Sequence, residues 1–137
     1  MPKFSPKSST RLSECHEDLQ ELFGEVIKSF DCQVTAGYRG PVAQHAAFTS
    51  GKSKLDWPKS LHNRQPSAAI DVYPYPIDFQ DIRRFYYFAG FVLGVADQLR
   101  SVGLISHAIR WGGDWDSDTE VKDNRFNDLC HFEIVGE

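Results

Sequence analysis

The chain has 137 residues, of which 41% are hydrophobic and 25% are charged, and its formal net charge is −4. This length and composition predict one soluble globular domain that covers residues 1–137 and acts as a monomer. The negative charge gives no support for nucleic-acid binding, and no apolar run approaches the roughly 18 residues that a membrane span needs. The three cysteines stand at unrelated spacings, which argues against a disulfide framework.

The first half of the chain predicts two helices and one strand. Residues 1–12 are rich in Pro, Ser and Lys, and we expect them to form a loose arm that lacks the apolar core of a signal peptide. Apolar residues then recur at helical spacing, which predicts an amphipathic helix over 13–30. A strand over 31–36 and a short helix over 42–48, opened by a proline, should follow. Residues 50–61 show no periodicity and predict a long loop, a feature that is usually functional in a compact domain.

The second half predicts three strands and one long helix. Residues 68–73 form an apolar run with Asp71 inside it, and their partial alternation predicts a half-buried strand. The helix that follows should be capped by Asp78 and ended by Gly103. Strands over 107–111 and 129–135 complete the set. Because strands and helices do not strictly alternate, the predicted fold class is α+β, a small antiparallel sheet with helices packed against it.

An acidic stretch over 114–126 resembles the start of a calcium-binding loop through four alternating carboxylates, Asp114, Asp116, Asp118 and Glu120. The sixth position of such a loop is glycine, but here it is Thr119. The twelfth is a bidentate glutamate, but here it is Arg125. We therefore expect a solvated acidic loop and no bound calcium.

Asp71 lies within an apolar, strand-like run, where burial of its carboxylate is costly unless a positive group compensates. A metal ion is the obvious partner. His62 precedes it in a polar loop, and His131 lies in a second strand-like run near the C-terminus. Two imidazoles and one carboxylate leave a zinc ion one open position for water, which is the arrangement of catalytic zinc sites.

Three further polar residues stand beside these candidate ligands. Asp128 precedes His131 by three residues and could take the proton of a reacting water, although an aspartate that only forms a turn would occur in the same place. Glu133 should share a strand face with His131 and could orient that imidazole. Ser60 could donate a hydrogen bond to a substrate or cap the loop that carries His62.

The pattern Ser-x-His, Ala-x-Asp and Asp-x-x-His-x-Glu, spread over 34–135, resembles the zinc D,L/D,D-peptidases of family M15. The resemblance implies the M15 or hedgehog-like fold with zinc at the sheet, a zinc-activated water and Asp128 as the general base. It also implies that Arg39 is a catalytic residue facing the substrate and that Gln44 binds substrate; a surface turn is the alternative for Arg39. Ser67 stands where a common form of the family has glycine, and the step from the first histidine to the aspartate is longer.

The resemblance implies a peptidase of bacterial peptidoglycan, closest to the phage L-alanyl-D-glutamate endopeptidases that act as endolysins. A D-alanyl-D-alanine carboxypeptidase or dipeptidase is the alternative enzyme. A zinc-containing binding module without activity is the alternative from another class. The missing signal peptide predicts synthesis in the host cytoplasm and action on the cell wall after release.

Overall fold

The computed structural model describes residues 1–121 and 127–136, so that Arg125 of the acidic stretch lies outside the described residues. In chain order its elements are α1 (Pro6–Ser13), α2 (Glu17–Val26), β1 (Cys32–Ala36), α3 (Pro41–Thr49), a 3₁₀ helix (Leu61–Asn63), β2 (Ala69–Pro74), α4 (Ile82–Ser101), β3 (Ile109–Gly112) and β4 (Asp128–Ile134).

The four strands form one antiparallel sheet in the order β1-β2-β4-β3. Helices α2 and α4 pack against each other, and α4 also packs on the sheet. The core between them contains the fully buried rings of Phe23, Phe88 and Phe132, which meet edge to face. This confirms the predicted α+β class and its small antiparallel sheet. No helix in 1–121 or 127–136 combines the length and apolar character of a transmembrane span.

The sheet sorts its side chains by the two-residue period of a strand. Apolar residues of β2 and β4, such as Ile70 and Phe132, enter the core. The residues between them project to the other face. Strand register places Asp71 of β2 opposite His131 of β4, and Arg110 of β3 opposite Glu133 of β4. The polar face of the sheet therefore collects charged side chains from three strands.

The loose arm predicted over 1–12 is wrong, because most of it is helix α1. The Ser5 side chain caps this helix by accepting from the Ser8 backbone N–H. Ser8 is itself buried, and its hydroxyl accepts from the backbone N–H of Val34, while Arg11 donates to the Val34 carbonyl. Helix α1 thus covers the outer edge of β1, which would otherwise expose unpaired backbone groups.

The helix predicted over 13–30 is shorter in the structure, where α2 spans Glu17–Val26 and a non-helical segment separates it from α1. Cys15 is buried in this segment, and its backbone forms an isolated parallel β-bridge with the backbone of Ser67. The His16 N–H donates to the Ser67 carbonyl at 2.8 Å, and the Ser67 N–H donates to the Glu14 carbonyl at 2.9 Å. The His16 ring then caps α2 by accepting from the Asp18 N–H. This backbone pairing holds the chain just before it enters β2.

The C-terminal end of α4 agrees with the prediction, but its N-terminal cap is a different residue from the predicted one. Asp81 caps the N-terminus by accepting from the Arg84 N–H, whereas the predicted cap, Asp78, accepts from Gln80 within the preceding turn. At the C-terminal end the chain reverses at Gly103, whose φ of 82° is in the left-handed region that favours glycine.

Candidate metal site and cleft

Three side chains from three elements converge on the polar face of the sheet. His62 comes from the 3₁₀ helix, Asp71 from β2 and His131 from β4. One oxygen of Asp71, Oδ1, lies 3.2 Å from His62 Nε2 and 3.3 Å from His131 Nδ1. All three residues are at least nine-tenths buried. The structure therefore brings together the three ligands expected from the sequence.

The 3₁₀ helix that carries His62 is closed by local hydrogen bonds. The Ser60 hydroxyl accepts from the His62 N–H at 3.2 Å, and the Asn63 side chain accepts from the Ser60 N–H at 3.0 Å. The backbone carbonyl of His62 accepts from the Arg39 N–H at 2.8 Å. Of the two roles considered for Ser60, the capping role is present, and its side chain also lines the cleft beside the site.

In each imidazole the outer ring nitrogen, the one that does not face Asp71, is hydrogen-bonded to an acceptor. His62 Nδ1 lies 2.7 Å from the Gly37 carbonyl, which can only accept, so this nitrogen carries the proton. His131 Nε2 lies 2.8 Å from Glu133 Oε1 and donates to that carboxylate. In the neutral rings the inner nitrogens therefore present lone pairs toward Asp71 Oδ1. Two lone pairs and a carboxylate that face each other repel, and a metal ion or a proton between them relieves this repulsion.

The spacing of these donor atoms fits zinc. Ligands at 2.0–2.1 Å from a tetrahedral zinc lie about 3.3–3.4 Å from one another, and the observed separations are 3.2 and 3.3 Å. Imidazole nitrogen and carboxylate oxygen are ligand types that zinc prefers. The contact between Glu133 and His131 is the carboxylate–histidine pairing that orients metal-bound imidazoles. The donor set therefore fits the ion that the sequence predicts.

Without a metal ion, the side chains of this site shift each other's pKa values. Burial would raise the pKa of Asp71, but the adjacent rings of His131 and His62, when protonated, donate hydrogen bonds to its carboxylate and hold the pKa far below its usual range. Burial lowers the pKa of His131, and the carboxylates of Asp71 and Glu133 reverse this and raise it to about 9. The site thus attracts positive charge, either as a proton or as a metal ion.

Asp128 lies at the first position of β4, beside the three donors. Its Oδ2 is 4.0 Å from His131 Nδ1, and its side chain is 27% exposed, so it is open to the cleft. Burial and the neighbouring Asp71 carboxylate raise the pKa of Asp128. Gly112 opposes it in β3, and a Cβ at Gly112 would clash with the backbone of Asp128. A glycine is therefore needed for this close approach of the two strands.

Arg39 follows β1 and contacts the site directly. Its Nη2 donates to Asp71 Oδ2 at 3.1 Å, and its Nη1 donates to Gln44 Oε1 at 3.2 Å. The side chain lines the cleft and is 17% exposed. Arg39 is therefore more than a surface turn residue, because it holds the second oxygen of a candidate ligand.

The structure does not support Gln44 as a substrate-binding residue. Gln44 is fully buried. Its amide oxygen accepts from Arg39 and Asn63, and its amide nitrogen donates to Ser53 and to the backbone carbonyl of Leu55. With both ends of the amide engaged, Gln44 fastens the 50–61 loop to Arg39 from beneath the cleft.

Two further groups of potential metal donors occur in the described residues. One is His16, Asp18 and His107. Asp18 Oδ2 already accepts from the N–H groups of Ser106 and His107 and from the His107 ring, so this group ties α2 to the segment before β3.

The other group of potential donors is Asp114, Asp116 and Asp118. Asp114 is buried rather than solvated, and its carboxylate accepts from the backbone N–H groups of Asp118 and Thr119. The prediction of a solvated loop is therefore wrong for Asp114, whose carboxylate stabilises the turn after β3 by these hydrogen bonds.

The metal-donor site opens into two cavities that share a wall of Arg39, Lys52 and Asp128. We call the first, of about 430 Å³, the basic cavity; its own lining includes Lys54, Ser60, Arg110, Trp115 and Glu133. We call the second, of about 620 Å³, the alanine cavity; its own lining includes Ala43, Ala46, Ala47, Tyr73 and Cys130. The two cavities therefore meet beside the metal donors, at Arg39, Lys52 and Asp128.

Sequence reasoning missed Arg110, which donates from Nη1 to Glu133 Oε2 at 3.3 Å. A charged residue inside the predicted strand over 107–111, in phase with a charged residue of the next strand, was a usable signal. It also missed the Gly37 carbonyl that orients His62. A backbone acceptor leaves no mark in the residue type, so the sequence contained no signal for it.

Comparisons with known proteins identify a family and a similar fold. A family model described as phage L-alanyl-D-glutamate peptidase matches residues 1–135. Among solved structures, the L-Ala D-Glu endopeptidase ChiX of Serratia marcescens is similar with a TM-score of 0.71 and 20% identity, over 97% of this chain and 90% of that one. None of the curated proteins compared with the chain matches it significantly.

Proposed function

The chain belongs to the phage L-alanyl-D-glutamate peptidase family, and from this we propose that it is a zinc-dependent endolysin that cleaves the L-alanyl-D-glutamate bond of peptidoglycan. Family membership makes it a peptidase that acts on peptidoglycan. The specific bond, the zinc ion and the roles of individual residues are the proposal. The convergence of His62, Asp71 and His131 with correctly oriented outer nitrogens is the observation that carries it.

Zinc held by His62, Asp71 and His131 would supply a Lewis acid that polarises the scissile carbonyl and lowers the pKa of a water to about 7. The protein's own part is to hold these ligands in position before substrate arrives. Glu133 orients the His131 ring, the Gly37 carbonyl orients the His62 ring, and Arg39 holds the Asp71 carboxylate. This pre-orientation supports the proposal because ligand orientation strongly affects metal affinity.

We assign the proton transfer to Asp128. Its carboxylate lies beside the donor atoms, is partly exposed, and borders both cavities. In the proposed reaction Asp128 accepts the proton of the attacking water and passes it to the leaving amine of D-glutamate. Arg39 also borders both cavities, and its guanidinium would stabilise the negative charge that develops on the carbonyl oxygen.

The direct experiment is digestion of purified peptidoglycan with the zinc-loaded protein, followed by mass spectrometry of the new amino termini. The proposal predicts D-glutamate as the new amino-terminal residue and no free alanine. Release of free D-alanine alone would identify a carboxypeptidase instead. A folded, zinc-loaded protein that releases nothing from any peptidoglycan would be a binding module. The cell wall, reached after release from the host cytoplasm, is the proposed site of action.

A further inference from the structure

The two cavities beside the metal donors differ in charge. The basic cavity has Lys54 and Arg110 in its own lining. Among the described residues, the alanine cavity has no basic side chain beyond Arg39 and Lys52, which the two cavities share. A substrate with a negative charge on one side of its scissile bond would therefore be bound in one direction across the cleft.

Arg110 has hydrogen-bonding capacity that the described residues do not use. A guanidinium carries five N–H donors, and within residues 1–121 and 127–136 the one hydrogen bond of Arg110 is the long contact from Nη1 to Glu133. Its Nε is buried with no partner in the same part of the chain. A donor without an acceptor is unfavourable, so the contacts among the described residues leave this guanidinium incompletely satisfied.

The position of Arg110 relative to the donors is also defined. Its contact, Glu133, is the residue that accepts from His131 Nε2 at 2.8 Å. Arg110 is thus separated from a candidate ligand by one carboxylate, and 35% of its side chain is exposed, on the side of the basic cavity. An anionic group of a substrate lying near the scissile bond would come within reach of it.

We infer that Arg110 binds the free α-carboxylate of the D-glutamate residue and so places the leaving side of the substrate in the basic cavity. This inference rests on the proposed function. In the peptidoglycan stem, D-glutamate is linked onward through its side-chain carboxyl, so its α-carboxylate stays free on the carbon that bears the leaving nitrogen. L-alanine, which is small and uncharged, then lies toward the alanine cavity. Arg110 is a specificity residue in this account, and Lys52 and Lys54 add a less directional attraction.

The test compares two synthetic stem peptides that differ only in the α-carboxyl group of D-glutamate, one with the free acid and one with the amide. Each is cleaved by the wild type, by Arg110→Gln and by Arg110→Lys, with zinc content measured for every preparation. Arg100→Gln, an exposed change at the end of α4, is the matched control. A charge-assisted hydrogen bond typically contributes enough to change kcat/KM by about 10- to 100-fold.

The expected result is a substrate-dependent loss. Arg110→Gln should lower kcat/KM for the free acid by about 10- to 100-fold and should change the amide by less than about threefold. Arg110→Lys should recover part of the loss, because it restores the charge without the planar fork. The Arg100→Gln control should leave both substrates unchanged. An equal fall for both substrates at unchanged zinc content would overturn the inference and reduce Arg110 to a support of Glu133.

A binding measurement separates this inference from the proposed function. Calorimetry on Asp128→Asn, with cleaved peptides that begin at D-glutamate as free acid or amide, reads the carboxylate contact without turnover. Tighter binding of the acid, abolished by adding Arg110→Gln, supports Arg110 as the carboxylate site even if another bond is cleaved. Equal binding of acid and amide overturns it even if the wild type cleaves peptidoglycan as proposed.

Discussion

At the scale of the residue, the account depends most on Asp128, because the ligands alone do not distinguish an enzyme from a zinc-containing binding module. Asp128→Asn retains the shape of the side chain and removes the proton acceptor. Loss of a general base typically lowers a rate by about 10²–10⁴-fold, and kcat on peptidoglycan should fall by that order while zinc stays bound. Zinc content, melting temperature and lysis rate should be measured on one preparation.

The matched control for this prediction is Asp97→Asn, an exposed position on α4 that should leave kcat unchanged. Wild-type activity in a folded, zinc-loaded Asp128→Asn would contradict the role of Asp128 and direct attention to Glu133. A lower melting temperature with an intact rate per folded molecule would show that Asp128 only supports the turn into β4.

The residues of the site were predictable to different degrees. His62, Asp71 and His131 could be proposed as ligands because a carboxylate inside an apolar, strand-like run is unusual and a histidine stands before and after it in the chain. The burial of Gln44 could not, because it depends on how the 50–61 loop folds back and accepts its amide. The charge of Arg110 inside a predicted strand was a signal, but linking it to Glu133 needed the pairing of β3 with β4, which a single sequence does not show directly.

At the scale of the element, helix α1 is an integral part of the fold. Leu12 lies in the main core cluster although it belongs to a segment that composition marks as a loose arm. Its partners in the fold are distant in sequence, since α1 packs on β1. Local composition indicates how well a segment is solvated and whether it favours turns. It contains no information about a distant edge strand, such as β1, on which the segment packs. The same limit explains why the break between α1 and α2, made by pairing with Ser67, was not predicted.

This role of α1 can be tested by Leu12→Ala. Truncation of a buried leucine removes packing and leaves a cavity, so the free energy of unfolding should fall by about 2–3 kcal/mol. Ser9→Ala, at an exposed position of the same helix, is the control and should change it by less than about 0.5 kcal/mol. Denaturant unfolding gives both values. Equal stability of Leu12→Ala and wild type would mean that residues 1–12 form a loose arm after all.

At the scale of the whole molecule, the sheet serves as a platform with two different faces. One face packs on α4 over a core of aromatic rings, and the other presents Asp71, His131, Glu133 and Arg110 to the cleft. The two-residue period of a strand accounts for this division, because Asp71 and His131 alternate with the core residues Ile70 and Phe132. The antiparallel order β1-β2-β4-β3 then brings residues far apart in the chain to one point.

The most direct test of the account is the zinc content of the protein after reconstitution and removal of excess metal. The wild type should retain one zinc ion per chain, and a chelator should remove both the ion and the activity. His45→Ala, at an exposed histidine paired with Asp56, should retain the ion. His131→Ala should lose both zinc and activity, because two donors remain where three are needed. A full equivalent of zinc in His131→Ala would contradict the account.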